Sequence, residues 1–413
     1  MGNYLNIGNA GFQAVRKGTY VDKSGLIAFI NSTLGTKSKL TCVSRPRRFG
    51  KSFAAQMLCA YYDKNCDSRK LFEDLEIAQD SSFEEHLNKY DVIYLDITLF
   101  VSGAANIKDV VSNIRKKVIT EVRETYPEVK TEETIYETLS NVTESTGNKF
   151  IIIIDEWDAL FREAKNDTEL QKEYIQLLRS LFKSGLTDKM IEGAYMTGIL
   201  PIKKYGTQSA LTDFIEYTML SPKGLAQYVG FTKQEVSALC KEYSMDFAQV
   251  KRWYDGYAFR KIQSIYNPNS VMKAMINGEF DSYWTQTETY ESLKFYIEMD
   301  FDGLKESIVQ MLGGAHCAID TETFQNDITG INCRDDVLTL LVHLGYLVYD
   351  ADEYSVYIPN EEVRREFVRA VKHGKHKEVA KLIQTSDLLL KATLRMDSEA
   401  VAEAIQEAHS AVT

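Results

Sequence analysis

The stretch KFIIIIDEWDAL, residues 149–160, restricts the fold more than any other part of this 413-residue chain. Four consecutive isoleucines offer no polar face, so the run suits neither an amphipathic helix nor a half-exposed strand. It suits a strand buried on both sides. Sheets built from such strands are mostly parallel and carry helices on both faces, and the flanking sequence has that alternation. KLTCVS (39–44), DVIYLDI (91–97) and MIEGAYMTGI (190–199) read as further strands. KSFAAQMLCAYY (51–62) reads as a helix with Phe53, Met57 and Tyr61 on one face. Two more helices are expected over 107–126, stopped by Pro127, and over 131–145, before Gly147. EYIQLLRSLFKSG is another, with Gly185 as its C-cap.

Beyond residue 225 the pattern turns mostly helical, with aromatic clusters. FTKQEVSALCKEY has the spacing of a capping box, Thr232 with Glu235 three residues on. WYDGYAF (253–259) and YNPNSV (266–271) are turn-rich. From about residue 300 the order becomes a helix ending at Gly345, a hairpin turning at Asp350-Ala351-Asp352-Glu353, and a helix after Pro359. Helix, hairpin, helix is the order of a winged-helix module. The expected divisions are 1–225, 226–300, 301–372 and a helical tail at 373–413.

Composition narrows the function classes. A net charge of −11 disfavours a generally basic nucleic-acid binder. Six cysteines without a C-x-x-C pair fit neither a disulfide framework nor a zinc knuckle, and a reducing cytoplasm is the expected home. No apolar run approaches the roughly 20 residues of a membrane span, and no secretory leader or myristoylation signal is read at the start. His373 and His376 read as a solvated helix face and not as a metal site.

The chemistry concentrates in two segments. In SRPRRFGKS, Gly50-Lys51-Ser52 lies between an expected strand and an expected helix, where backbone N–H groups and the helix dipole favour an anion. Lys51 is placed to reach β- and γ-phosphates, the Ser52 hydroxyl to join the Mg²⁺ shell, and Gly50 to permit close backbone approach. The usual first glycine of such a loop is replaced by Arg45. Asp155 and Glu156 end the isoleucine strand, one carboxylate for the metal and one for water. Thr197, closing a neighbouring strand, is either a γ-phosphate sensor or merely a strand end.

Together YVDKS (20–24), SRPRRFGKS (44–52), IIIIDEWDAL (151–160), MTGILPI (196–202), WYDGY (253–257), YNPNS (266–270) and GYLVYD…YIPNEEVR (345–364) resemble the prokaryotic AAA-ATPase-like family, which is related to archaeal ATPases of the GPRRxGKT type. The resemblance implies a P-loop NTPase of α/β class with a mostly parallel sheet, a helical lid and a winged-helix-like domain. It implies Mg²⁺-dependent ATP hydrolysis, with Glu156, Lys51 and Thr197 in the reaction and Asp155 with Ser52 on the metal. Arg47, Arg48, Phe49, Gly50, Lys51, Ser52 and Phe53 then form the nucleotide loop, and Arg45-Pro46-Arg47-Arg48 is the family's own variant of it. Pro46 sets the turn in place of the glycine.

Arg47 and Arg48 either neutralise the γ-phosphate or pair with nearby acids. Asp22 and Lys23 either approach the base or cap a helix. Trp253, Tyr254 and Tyr257 are expected in the lid core. Members of this type commonly continue into a PD-(D/E)xK nuclease-like domain. Its E-x-K is missing from residues 386–413, and no nuclease activity is expected. Expected partners are ATP, a second copy of the chain and a protein docking on the winged-helix part. Arg364, Arg365, Arg369, Lys372, Lys375 and Lys377 leave nucleic acid as a rival. The functional alternatives are an ATP-operated switch with little turnover and a nucleotide-controlled DNA-binding regulator.

Overall fold

The computed structural model describes the whole chain except residues 1, 184, 206–207, 260–261, 285–288, 300, 327–329, 374–388, 391 and 411–413. Lys375, His376, Lys377 and much of the expected tail therefore lie outside the described residues.

The four expected strands, β1 (Leu40–Ser44), β2 (Asp91–Asp96), β3 (Phe150–Asp155) and β4 (Ile191–Gly198), and, after a short antiparallel pair of β5 (Lys204–Tyr205) and β6 (Gln208–Ser209), an unexpected fifth, β7 (Ile215–Tyr217), form one sheet. Its order is β2-β3-β4-β1-β7 and every pairing in it is parallel. The isoleucine run behaves as its composition demands. Ile151 and Ile153 enter one apolar core, Ile152 and Ile154 the other, and all four are at most 1 % exposed. At about 1.5–3 kcal/mol per fully buried aliphatic side chain, such a strand belongs in the middle of a covered sheet.

The first core packs the helix Lys51–Tyr62 onto one face and continues into Val337, Leu341, Val363 and Phe367 near the C-terminus. The second holds the helices Val110–Thr125, Ile135–Thr146 and Thr168–Phe182 on the other face.

Local signals set most boundaries. Thr134 accepts from the Glu137 amide and starts its helix three residues after the expected Thr131, and Gly147 ends it at φ 74°. The helix Thr168–Phe182 starts earlier than expected, because Asp167 caps it, and closes on Lys183 instead of Gly185. Phe53 departs from its expected place: Met57 and Tyr61 are buried, but Phe53 is 60 % exposed.

After residue 225 the capping box of Thr232 and Glu235 opens the helix Lys233–Glu242. The turn-rich segments carry more order than expected. WYDGYAF ends the helix Phe247–Tyr254 and begins β9 (Tyr257–Phe259), which pairs with β10 (Ile262–Tyr266) beside β8 (Phe231–Thr232). YNPNSV opens the helix Pro268–Asn277, with Asn267 as N-cap and Pro268 in the first turn. Further on, β11 (Cys317–Ala318) joins a hairpin of β12 (Val348–Asp350) and β13 (Ser355–Tyr357), flanked by the helices Arg334–Leu344 and Glu361–His373. Helix, hairpin and helix occur in the expected order. No helix among the described residues is long and apolar enough to cross a membrane.

Candidate functional site

The loop Arg45–Gly50 leaves the C-terminal end of β1 and feeds the helix Lys51–Tyr62, at the edge of an open parallel sheet where ligands are commonly held. Arg48 and Gly50 both have left-handed backbone, φ 68° and 90°. A Cβ on Gly50 would meet nothing within 4 Å, so glycine is required there by the dihedral, and the backbone faces open space.

Arg45 explains its own departure from the glycine-first pattern. Its side chain turns under the loop, fully buried, and donates from Nη1 to the carbonyls of Ser44 (2.9 Å) and Tyr217 (3.1 Å). The guanidinium lies 5.5 Å from the Phe259 ring centroid. Burial pulls its pKa down to about 10. This arginine ties β1 to β7 beneath the loop.

Lys51 is nearly buried and bridges the loop. Its Nζ donates to the Pro46 carbonyl at 3.1 Å and lies 3.3 Å from Glu156 Oε1. Asp155 and Tyr195 are on the sheet face of the helix Lys51–Tyr62, by the same alternation that sends Ile151 and Ile153 there, and Thr197 follows Tyr195 on that face. The Ser52 hydroxyl hydrogen-bonds to Asp155, whose carboxyl is nonetheless pushed up to about 6 by burial. Tyr94 donates to Asp155 Oδ2 at 3.5 Å.

Glu156 turns off the strand in a left-handed conformation, φ 51°. Burial works to raise its carboxyl, but Lys51 and Arg162 outweigh burial and hold it below the usual range. The Thr197 hydroxyl is buried without a hydrogen-bond partner, while its carbonyl accepts from the Trp157 amide at 2.9 Å.

Beside the loop opens a cavity of about 690 Å³. Arg48, Phe49, Gly50, Lys51, Ser52, Phe53 and Glu156 line it; Arg47, Asp155 and Thr197 are not among its walls. Away from Lys51 the lining is mostly apolar, with Val15, Tyr20, Met57, Phe231, Met272 and Ile276, but it also includes Lys23, Asn269 and Lys273. Phe49 is in addition a core residue, edge-on to Tyr257 at 5.2 Å and Trp284 at 6.5 Å. Asp22 and Lys23 have structural partners: Asp22 accepts from the amides of Ser24 and Glu76, and Lys23 is ion-paired to Glu235 at 2.6 Å.

Three residues near the site escape sequence reasoning. Asn267 caps its own helix and reaches the Arg47 carbonyl at 3.5 Å. Arg162 holds Glu156 Oε2 at 2.6 Å. Asp158, fully buried, accepts from the amides of Ile199 and Leu200 after β4. The only sequence trace of the last pair was an Asp and an Arg four apart.

Comparison with known proteins finds a family model, described as "AAA-ATPase_like: Predicted AAA-ATPase", matching residues 6–207. No curated protein matches the chain. Among solved structures, the replication initiator DnaA bound to AMPPCP and single-stranded DNA is 12 % identical, with 95 % of each chain covered and a TM-score of 0.33. The Aeropyrum pernix ORC2 protein is 11 % identical over 90 % of this chain and 99 % of its own, at 0.35. AMPPCP-bound DnaA from Aquifex aeolicus is 11 % identical over 95 % and 96 %, at 0.32. At such TM-scores these likenesses carry no argument about this chain. The family match spans the loop, the acidic strand and the strand between them, so residues 6–207, just under half of the chain, are similar to the AAA-ATPase-like family.

Proposed function

We propose that the cavity binds ATP with Mg²⁺ and that the chain hydrolyses it. One observation carries the reading: a strand-to-helix loop with two left-handed residues opens onto a cavity in which Lys51 and Glu156 stand 3.3 Å apart. Free N–H groups at Gly50–Ser52 and the Lys51 ammonium suit the phosphates, and the mostly apolar far wall suits a base.

Mg²⁺ fits the residues present, since Asp155 and the hydroxyl of Ser52 are hard oxygen donors already in contact, and such an ion takes one or two protein oxygens beside phosphate and water. Bound there, it would neutralise charge developing on the phosphates. Ser52 and Asp155 would hold it, Glu156 would orient and deprotonate the attacking water, and the unpartnered Thr197 hydroxyl would sense the γ-phosphate. Catalysis of this kind rests on positioning and charge, so a residue of a second copy can complete it.

Glu156 has both oxygens engaged at rest, by Lys51 and by Arg162, and this favours low basal turnover and a switch-like use of ATP. Duplex binding is less well supported, because Arg365 of the helix Glu361–His373 is stacked 4.2 Å from the Trp253 ring centroid. The test is phosphate release with ATP and Mg²⁺ from the parent, Lys51→Ala and Glu156→Gln, with nucleotide binding measured on the same samples. Turnover lost in both variants, with binding lost only in Lys51→Ala, supports hydrolysis. Binding without turnover in the parent supports the switch, and a parent that binds no nucleotide refutes the reading.

A further inference from the structure

The ion pair of Lys51 with Glu156 poses a problem for any phosphate ligand, because the lysine must leave a partly buried carboxylate to reach it. An uncompensated Glu156 charge, 20 % exposed at the side chain, would oppose that departure. Arg162 occupies the other oxygen, with Nη2 2.6 Å from Oε2. Its Nε lies 3.2 Å from Asp158 Oδ2, an ion pair without hydrogen-bond alignment. Asp158 is itself immobilised: it accepts from Ile199 N at 3.2 Å and Leu200 N at 3.0 Å, and its Oδ1 stands where a Cβ on Gly198 would be, 2.6 Å away. Arg162 is thus anchored, its side chain 13 % exposed, while Lys51, held by Glu156 and the Pro46 carbonyl, is the partner that lines the cavity.

We propose that Arg162 is a positioning residue for nucleotide binding: anchored by Asp158, it retains Glu156 Oε2 and compensates its charge, so that Lys51 can be drawn to phosphate and Oε1 is left open to water. This rests on the nucleotide reading of the cavity. It also gives a use to the third acid of DEWD, Asp158, and to the glycine of MTG, which a lysine, a metal ligand and a general base do not explain. A cation at residue 162 that merely added positive potential would act on phosphate whatever stood at residue 156.

The test is a double-variant cycle read by equilibrium binding of the non-hydrolysable β,γ-imido analogue of ATP with Mg²⁺, using the full chain. Arg162→Gln in the parent leaves Glu156 to Lys51 alone and is expected to weaken binding roughly tenfold, the size of about one charge-assisted hydrogen bond. In the Glu156→Gln background there is no carboxylate to compensate, and the same change is expected to alter affinity by less than about twofold. Arg162→Lys, which keeps the charge and loses the fork, should fall between parent and Arg162→Gln, and it serves in both backgrounds if the glutamine variant does not fold. Equal weakening in both backgrounds, or no weakening in the parent, overturns the proposal while leaving the nucleotide reading intact. A folded parent that does not bind the analogue refutes that reading and this inference with it.

Discussion

Arg45 occupies the position of a loop glycine and has no contact with the loop's open side. It is a buried cation held by two carbonyls and an aromatic face. Restoring the glycine removes those bonds and leaves a void. Arg45→Gly is therefore expected to cost about 3–5 kcal/mol in denaturant unfolding, without tightening nucleotide binding. His343 allows a pH test. Fully buried, stacked 6.0 Å from Phe324 and without a partner on either ring nitrogen, it has its pKa driven down to about 3 by burial. The unfolded chain protonates this imidazole near its ordinary value of about 6.5 and the folded chain does not. Between those values the unfolded state binds more protons, so stability falls as pH falls, by up to about 1.4 kcal/mol per pH unit from this residue. His343→Leu should flatten that slope between pH 6.5 and 4, as followed by thermal unfolding across the range. A slope unchanged in the variant would mean that the histidine is protonated in the fold.

Elements were legible where local chemistry acts alone. Four of the five parallel strands, the capping box at Thr232 and the helix stop at Gly147 follow from periodicity and from unpaired end groups, and each is present; β7 carries no such signal. Thr232→Ala should cost about 1 kcal/mol, read from the shift in unfolding midpoint, because the Glu235 amide loses its acceptor. Gly198, at the end of β4, is a different case. It lacks a positive φ, yet a Cβ there would stand 2.6 Å from both Asp158 Oδ1 and Trp157 Cδ1. Gly198→Ala should destabilise by about 2 kcal/mol or more and also displace Asp158. Phe53 was misplaced by the same periodic logic that placed Met57 and Tyr61. It lies on the first helical turn, beyond the sheet that covers its neighbours, and lines the cavity instead.

At the scale of the molecule, the loop is seated on the C-terminal part of the chain. A Cβ on Gly345, φ 85°, would be 2.7 Å from Pro46, and Phe49 packs on Tyr257, whose hydroxyl donates to the Gly345 carbonyl at 2.7 Å. Gly256, φ 122°, allows the Pro359 carbonyl where a Cβ would be 2.2 Å from it. The WYDGY and GYLVYD signatures are thus a joint between loop and hairpin. Gly345→Ala is expected to lower nucleotide affinity severalfold as well as stability, although residue 345 does not line the cavity. Equilibrium binding on the folded variant checks this, and unchanged affinity would show the joint to be purely structural.

By itself the sequence determined what depends on neighbours along the chain: the four central strands of the parallel sheet, where several helices begin, and which glycine, lysine and acids share a loop and a strand end. Those choices follow from side-chain alternation and backbone end groups, both local in range. Only the tertiary structure decided that Arg45 turns inward, that Arg162 and Asp158 hold the strand-end glutamate, and that Pro46 and Phe49 rest on residues some 200 to 300 positions away. Contacts between distant segments depend on the geometry with which whole elements pack, and spacing along one chain carries no record of that geometry.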